Sequence, residues 1–188
     1  MWQINCSVIS QVFEEDDLVT YVLDQKRDPV SKLVIKLPIR SILYVCTGNV
    51  FRSPVAEQMR RRLLGDSNVK VESAGILEYK GGPLPRKITR LAKSYGVDLS
   101  LHKPRQMSAE MVDAADLILV FDRKQVGEVV KMFPKARGKT QTIKTYAVWS
   151  DDKDMEDLWG KPAEAFERTL KEISEFIERC VGRIRAEK

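Results

Sequence analysis

The chain has 188 residues, of which 43% are hydrophobic and 31% are charged, a balance that is ordinary for a globular protein with a full hydrophobic core. It contains no apolar run long enough to span a membrane, and its N-terminus lacks the basic and then apolar layout of a signal peptide. The net charge of +5 is spread along the chain, and residues 60–62 form the only basic triplet, so a solvated basic helix face is favoured over a nucleic-acid site.

The first 38 residues predict a small antiparallel β unit of two or three strands. Apolar alternation or a high content of β-branched and aromatic residues marks three stretches, residues 2–8, 18–23 and 33–37. Charged or proline-containing breaks separate them at residues 14–17 and 26–29. A unit this small cannot hold a core of its own, so it must pack on the rest of the chain or on a second copy. A plain stabilising extension is favoured over a homodimer joined through this segment.

Beyond residue 40, apolar runs alternate with amphipathic helical patterns. The candidate strands cover residues 42–45, 69–73, 116–121 and 142–147. The candidate helices cover residues 55–64, 86–95, 109–114, 124–133 and 163–185. Alternation of this kind implies right-handed crossovers and an α/β fold, a four-stranded parallel sheet with helices on both faces.

The junction between the first of these strands and its helix carries the most informative motif. Residues 46–54 read Cys-Thr-Gly-Asn-Val-Phe-Arg-Ser-Pro, and they lie at the carboxyl end of a strand, where α/β sheets bind ligands. Backbone amides of the loop can curl around a tetrahedral oxyanion, and the N-terminus of the following helix points at the same place. The same positive field favours the thiolate form of Cys46, and Arg52 can bind two oxygens of the anion through its fork of N–H donors. The pattern therefore predicts a phosphoryl-transfer site with Cys46 as the nucleophile.

The other residues of this loop meet separate geometric demands of an oxyanion cradle. Gly48 permits close approach of the backbone to an anion, and Asn49 tolerates a positive φ while its side chain ties the loop together. Ser53 can donate a hydrogen bond to the thiolate or cap the helix behind it, and Pro54 suits the first helical position. The predicted phosphate-binding residues are Thr47, Gly48, Asn49, Val50, Phe51, Arg52 and Ser53.

Residues 45–54 resemble the signature loop of the low-molecular-weight protein tyrosine phosphatase family, which follows the first strand of that family's domain. Further similar stretches are Ser-Ala-Gly at 73–75, His-Lys-Pro-Arg-Gln at 102–106, a core strand at 115–120 and Asp-Leu-Trp-Gly-Lys-Pro at 157–162. The resemblance implies a catalytic domain over residues 41–188, with residues 1–38 outside it. It implies hydrolysis of phosphotyrosine, in a protein or a small aryl phosphate, through a phosphocysteine intermediate.

The leaving oxygen needs a proton, because an expelled alkoxide or phenoxide leaves poorly unless an acid protonates it. Residues 151–157 offer several carboxylic acids for this role. The resemblance implies Asp157, since the family's acid precedes an aromatic residue and a glycine shortly before the last helix, and Asp154 is the alternative. Leu158 stands where the family pattern has proline, which affects the rigidity of this loop more than the identity of the acid.

The resemblance also implies roles for residues around the cradle. Trp159, next to the acid, and Tyr79, in a variable loop, would form walls for a flat aromatic ring. His102 is the only histidine, and it matches a family histidine that hydrogen-bonds the loop asparagine, here Asn49. A supporting role for His102 is therefore favoured over general-base catalysis.

Three other activities remain open for such a loop. Arsenate reductases of this fold relay electrons through further cysteines, and none lies between Arg52 and Cys180. Protein-arginine phosphatases carry threonine where this chain has Val50, which lacks the hydroxyl. A binding module that recognises phosphorylated ligands without turnover would not need Cys46.

Many relatives carry a second cysteine where this chain has Phe51, so no local thiol can trap oxidised Cys46 as a disulfide.

The remaining expectations concern cofactors, partners and compartment. One histidine and three scattered cysteines supply no ligand set for a metal, and no cofactor is expected. The spacing of Cys6, Cys46 and Cys180 favours a reducing cytoplasm over a disulfide framework, and Cys180 lies on the apolar stripe of the last helix as a core residue. The expected partners are a phosphotyrosine-containing protein or a small aryl phosphate, with phosphate as product or inhibitor, and neither a nucleic acid nor a membrane.

Overall fold

A computed structural model of the chain describes residues 11–14, 17–22, 33–37, 39–65, 68–147 and 154–186. The first three strands form an antiparallel sheet in the order β1-β2-β3, with β1 at Gln11–Glu14, β2 at Asp17–Val22 and β3 at Leu33–Leu37. The predicted strand at residues 2–8 lies outside the described residues. That residues 1–38 form a unit of their own, or join two copies of the chain, stays a prediction.

The second sheet has four strands, β4 (Ser41–Cys46), β5 (Lys70–Gly75), β6 (Leu117–Val120) and β7 (Thr140–Thr142). Its order is β5-β4-β6-β7, and every pairing is parallel. The predicted α/β fold with a four-stranded parallel sheet is confirmed. Because β4 is hydrogen-bonded on both sides, its last residue, Cys46, lies in the interior of the carboxyl edge of the sheet.

Helices cover both faces of this sheet. They are α1 (Arg52–Leu64), α2 (Arg86–Ser94), α3 (Ala109–Ala114), α4 (Arg123–Met132), α5 (Ile143–Tyr146) and α6 (Ala163–Ala186), and a 3-10 turn covers Pro134–Ala136. Alternate residues of β4 point to opposite faces: Ile42 and Tyr44 pack with α1, α2 and α6, whereas Leu43 and Val45 pack with α3 and α4. Cys180, on α6, is buried in the hydrophobic cluster between this helix and the sheet. Within the described ranges, every helix is too short or too polar to cross a bilayer.

The fourth strand of this sheet lies earlier in the chain than predicted. Residues 142–147 were expected as a strand, but β7 ends at Thr142 and a short helix, α5, follows at once. The Thr142 side chain accepts a hydrogen bond from the Thr145 N–H at 3.1 Å and so caps α5. Ile143 and Tyr146 are both buried, which fits one face of a helix turn. The strand prediction was wrong because an apolar run of this length does not distinguish a strand from a buried helical turn.

Helix α1 also differs from the prediction, in where it begins and in the burial of Arg60. It begins at Arg52, so Pro54 occupies its third position and not the first. The prediction of a solvated basic face is wrong for Arg60, whose side chain is fully buried, although Arg61 and Arg62 are exposed. Helix α1 lies between the sheet and α6, and Nη1 of Arg60 is 3.5 Å from the carbonyl oxygen of Ile177. Because α1 is buried on two sides, the Arg60 side chain points into the protein interior.

Candidate active site

The loop between β4 and α1 is shaped by its contact with the end of β5. Cys46 is buried, and the chain then turns at Asn49, whose φ is 54°. Asparagine is one of the few residues other than glycine that visits this left-handed region. At Gly75 a Cβ atom would lie 2.8 Å from the carbonyl carbon of Gly48, so only glycine lets β5 approach the loop this closely.

The Asn49 side chain is buried and links the loop to three neighbouring segments. Its Nδ2 donates to the hydroxyls of Ser53 in α1 and Ser73 in β5, both at 2.9 Å. Its Oδ1 accepts from the Arg105 N–H at 3.1 Å. With all these groups satisfied, the loop is held in one conformation before any ligand binds.

Ser53 is placed to stabilise an ionised sulfur. Its Oγ lies 3.1 Å from Sγ of Cys46 and 3.3 Å from the carbonyl oxygen of Ala74. Since Asn49 already donates to this hydroxyl, the Ser53 proton points to one of these two acceptors. Ser53 lies within α1, and the N-cap residue of this helix is Phe51, which makes no side-chain capping bond. Ser53 therefore does not cap the helix, which was the other role predicted for it.

The Arg52 side chain is buried and its guanidinium is shared among several acceptors. Nη1 lies 3.4 Å from Oδ2 of Asp122, and Nη2 lies 3.3 Å from both Oδ1 of Asp157 and the hydroxyl of Thr47. These distances exceed the roughly 2.7–2.9 Å of tight charge-assisted hydrogen bonds. Arg52 is thus oriented from two sides while its donors remain able to bind an incoming oxyanion.

Asp122, the N-cap residue of α4, and Gln125, in its first turn, complete this arrangement, and sequence analysis did not single them out. Asp122 caps α4 by accepting from the Gln125 N–H at 2.8 Å. The buried Gln125 side chain donates to the Thr47 hydroxyl at 3.3 Å and accepts from the Phe121 N–H at 2.9 Å. Their position directly after β6 was the available signal, because the carboxyl ends of parallel strands meet at one edge of the sheet.

Replacing Gln125 by leucine should lower the free energy of unfolding by about 1–3 kcal/mol, because the buried Phe121 N–H would lose its acceptor. Denaturant unfolding followed by fluorescence measures the change. Gln58→Leu is the matched control, since Gln58 also bonds backbone atoms, those of Asp98, but at an exposed site where water replaces it. A loss for Gln125→Leu no larger than the loss for Gln58→Leu would contradict the prediction.

His102 contacts the loop from the segment that precedes α3. Its Nε2 lies 2.7 Å from the main-chain carbonyl oxygen of Asn49. Because a carbonyl oxygen only accepts, Nε2 carries the proton in this contact. The geometry matches the hydrogen bond to the loop asparagine that the resemblance implied, while a supporting role for His102 in catalysis stays a prediction.

The segment before α6 brings one of the two candidate acids to Arg52. Asp157 is 63% exposed and reaches Arg52, whereas both oxygens of Asp154 lie 3.1–3.2 Å from Nε of Arg123. Leu158 is buried in the core beside Asp157. The leucine in place of the family's proline therefore anchors the loop by packing, and the structure places Asp157 and not Asp154 at the cradle.

A cleft of about 880 Å³ opens above the cradle. Cys46 and Arg52 line its floor with Val50 and Phe51, and the Phe51 ring packs edge to face on Phe166 at 4.9 Å. One wall comes from residues 77–88 and includes Tyr79, whose hydroxyl donates to the Gly82 carbonyl oxygen at 2.7 Å. The opposite wall comes from residues 157–166 and includes Trp159, which is 81% exposed. The cleft thus has Cys46 and Arg52 at its floor, and aromatic side chains contribute to its sides.

A family model for low molecular weight phosphotyrosine protein phosphatases matches residues 41–188. The chain belongs to this family. Among its relatives, the low molecular weight protein-tyrosine-phosphatase Etp of Escherichia coli is 38% identical over 70% of this chain and 86% of its own length. The match to the family confirms the resemblance seen in the loop and in the segments around it.

Two solved structures show the same fold. The structure of Wzb from Vibrio vulnificus in complex with benzylphosphonate has a TM-score of 0.67 and 31% identity, over 76% of this chain and 98% of Wzb. The YwlE arginine phosphatase from Geobacillus stearothermophilus has a TM-score of 0.71 and 29% identity, over 80% of this chain and 95% of its own. Since Etp is named a tyrosine phosphatase and YwlE an arginine phosphatase, family membership by itself does not separate phosphotyrosine from phosphoarginine.

Proposed function

We propose that this chain hydrolyses phosphotyrosine, in proteins or in small aryl phosphates, through a phosphocysteine intermediate. The observation that carries the proposal is the convergence of Cys46, Arg52 and Asp157 on one cleft. These three residues supply a nucleophile, a cation for the phosphate oxygens and an acid for the leaving oxygen.

In the first step the Cys46 thiolate attacks phosphorus and forms a sulfur–phosphorus bond while the bond to the ester oxygen breaks. Arg52 and the amides of residues 47–53 bind the equatorial oxygens, and Asp157 gives its proton to the leaving phenoxide. In the second step water attacks the phosphocysteine, the sulfur–phosphorus bond breaks, and Asp157 takes the water's proton. Phosphate is released and the Cys46 thiolate, which Ser53 stabilises from 3.1 Å, is restored.

The cleft supports an aryl substrate over phosphoarginine. Its walls include the aromatic side chains of Tyr79 and Trp159, between which a flat ring can stack. Val50 lines the floor with a side chain that cannot hydrogen-bond a guanidinium. A ligand of matching chemistry, benzylphosphonate, is bound by the Vibrio vulnificus relative.

Turnover of three peptides that differ only in carrying phosphotyrosine, phosphoserine or phosphoarginine tests the proposal. We expect kcat/KM for phosphotyrosine to exceed the other two values by about 10²-fold or more, because neither of the others presents a ring to the walls, and an alkoxide leaves less readily than a phenoxide. Released phosphate measures the rates. Equal rates on all three peptides, or a preference for phosphoarginine, would overturn the choice of substrate.

A further inference from the structure

The charged residues of helix α2 and of the loop before it are all basic. Residues 79–97 contain five cations and no acidic residue. Four of the five, Arg86, Lys87, Arg90 and Lys93, are exposed on α2. Lys87, Arg90 and Lys93 follow Arg86 by one, four and seven residues, so all four side chains lie on one side of the helix.

The opposite side of α2 is packed into the core, which sets the direction in which these cations point. Ile88 and Ala92 are buried in the cluster that contains the residues of α6. Leu84 and Leu91 pack against the same cluster. Because the apolar side is occupied, the basic side faces solvent in a fixed orientation, and we call its residues Arg86, Lys87, Arg90 and Lys93 the basic face of α2.

The basic face adjoins the cleft. Lys87, Pro85 and Ile88 line the cleft wall, so α2 begins at its rim and leads away from it. The first turn of α2 contains no acidic residue, and therefore the positive end of the helix dipole adds to the field there. Lys161 also lines the cleft, but its charge is paired with Glu156 at 3.1 Å.

Three of the five cations in residues 79–97 are not neutralised within the part of the chain that the structure describes. Lys93 lies 3.8 Å from Asp98, and the neighbouring Lys80 lies 3.2 Å from Glu78. In the same described residues, Arg86, Lys87 and Arg90 have no acidic side chain within ion-pair distance. These three adjacent cations beside the cleft are therefore available to bind an anionic partner.

We infer that the basic face of α2 binds an acidic stretch of the protein substrate next to the phosphotyrosine, an inference that rests on the proposed function. The nine residues of α2 span about 14 Å, which about four residues of an extended peptide would cover. An acidic protein segment fits better than a membrane or a nucleic acid, because the basic face presents no aromatic or large apolar side chain to enter a bilayer or stack on bases. Charge of this kind speeds encounter with an anionic substrate and lowers KM.

Two phosphotyrosine peptides test this inference, one with four acidic residues beside the phosphotyrosine and one with the corresponding amides. The small substrate p-nitrophenyl phosphate reports on the chemistry alone. We expect the unsubstituted chain to prefer the acidic peptide by about tenfold in kcat/KM at low ionic strength. The preference should shrink towards unity at about 0.5 M salt, where the Debye length falls below about 5 Å.

Arg86→Gln with Arg90→Gln is the test variant, since neither residue lines the cleft. It should lose most of the preference for the acidic peptide through a higher KM, while the rate on p-nitrophenyl phosphate stays within about twofold. Lys131→Gln with Arg137→Gln is the matched control, because it removes the same charge near the amino edge of the sheet, opposite Cys46. The control should keep the preference.

Equal use of both peptides by the unsubstituted chain, or the same loss of preference in the control, would overturn the inference. So would a test variant that loses binding to phosphatidylserine vesicles or to a single-stranded oligonucleotide while its peptide preference is unchanged. These outcomes leave turnover of p-nitrophenyl phosphate intact. Failure of the proposed function is distinct, because the unsubstituted chain would then turn over neither phosphotyrosine peptide, whatever its rate on p-nitrophenyl phosphate.

Discussion

Cys46→Ser should abolish turnover of aryl phosphates, with a loss of about 10⁴-fold or more in kcat, while phosphate binding persists. A serine hydroxyl is far less acidic than a thiol and stays protonated at position 46, where the side chain in contact with it is the Ser53 hydroxyl, which is not a base. The binding groups remain, because the loop amides and Arg52 do not depend on the sulfur. Rates on p-nitrophenyl phosphate and calorimetric titration with phosphate measure the two effects.

Cys180→Ala is the control for this substitution. Cys180 is also buried, but it lies on the core-facing side of α6, and its loss should change stability and leave kcat within about twofold. Measurable turnover by Cys46→Ser, or an equal loss of turnover by Cys180→Ala, would refute Cys46 as the nucleophile. Loss of phosphate binding by Cys46→Ser would show instead that the cradle depends on the thiolate for its shape.

Asp157→Asn should slow esters with poor leaving groups by about 10²–10³-fold in kcat and affect those with good leaving groups by no more than about tenfold. A phenol of high pKa needs the proton of the acid as it leaves, whereas an activated phenol such as p-nitrophenol departs as the anion. The amide of asparagine keeps the size of the side chain and a contact with Arg52. A series of substituted phenyl phosphates measures the dependence on leaving-group pKa.

Asp154→Asn is the matched control, because its carboxylate is bound by Arg123 and lies outside the cleft lining. We expect its rates to stay within about threefold of the unsubstituted chain across the series. A steeper dependence on leaving group in Asp154→Asn than in Asp157→Asn would transfer the role of acid to Asp154. Equal losses on good and poor leaving groups in Asp157→Asn would show that Asp157 positions Arg52 and does not donate the proton.

The apolar periodicity of the chain was enough to predict the parallel sheet and nearly every helix after residue 40. It failed at residues 142–147, where the Thr142 side chain caps a short helix that an apolar run does not reveal. It also failed at Arg60, since composition treats an arginine as exposed unless the packing of the helix is known. The second error concerns burial, which depends on the neighbours that a segment acquires in three dimensions.

The sequence alone determined the chemistry of the cradle, because Cys46, the loop and Arg52 are contiguous and their geometry follows from one strand-to-helix turn. Only the tertiary structure placed Asp122 and Gln125 beside the cradle and brought Asp157, in place of Asp154, to Arg52. Asp122, Gln125 and Asp157 come from segments 70–105 residues away in the chain, and the parallel sheet brings the ends of these segments to one edge. Contacts between residues so far apart are set by how the strands pair, and no local pattern encodes that pairing.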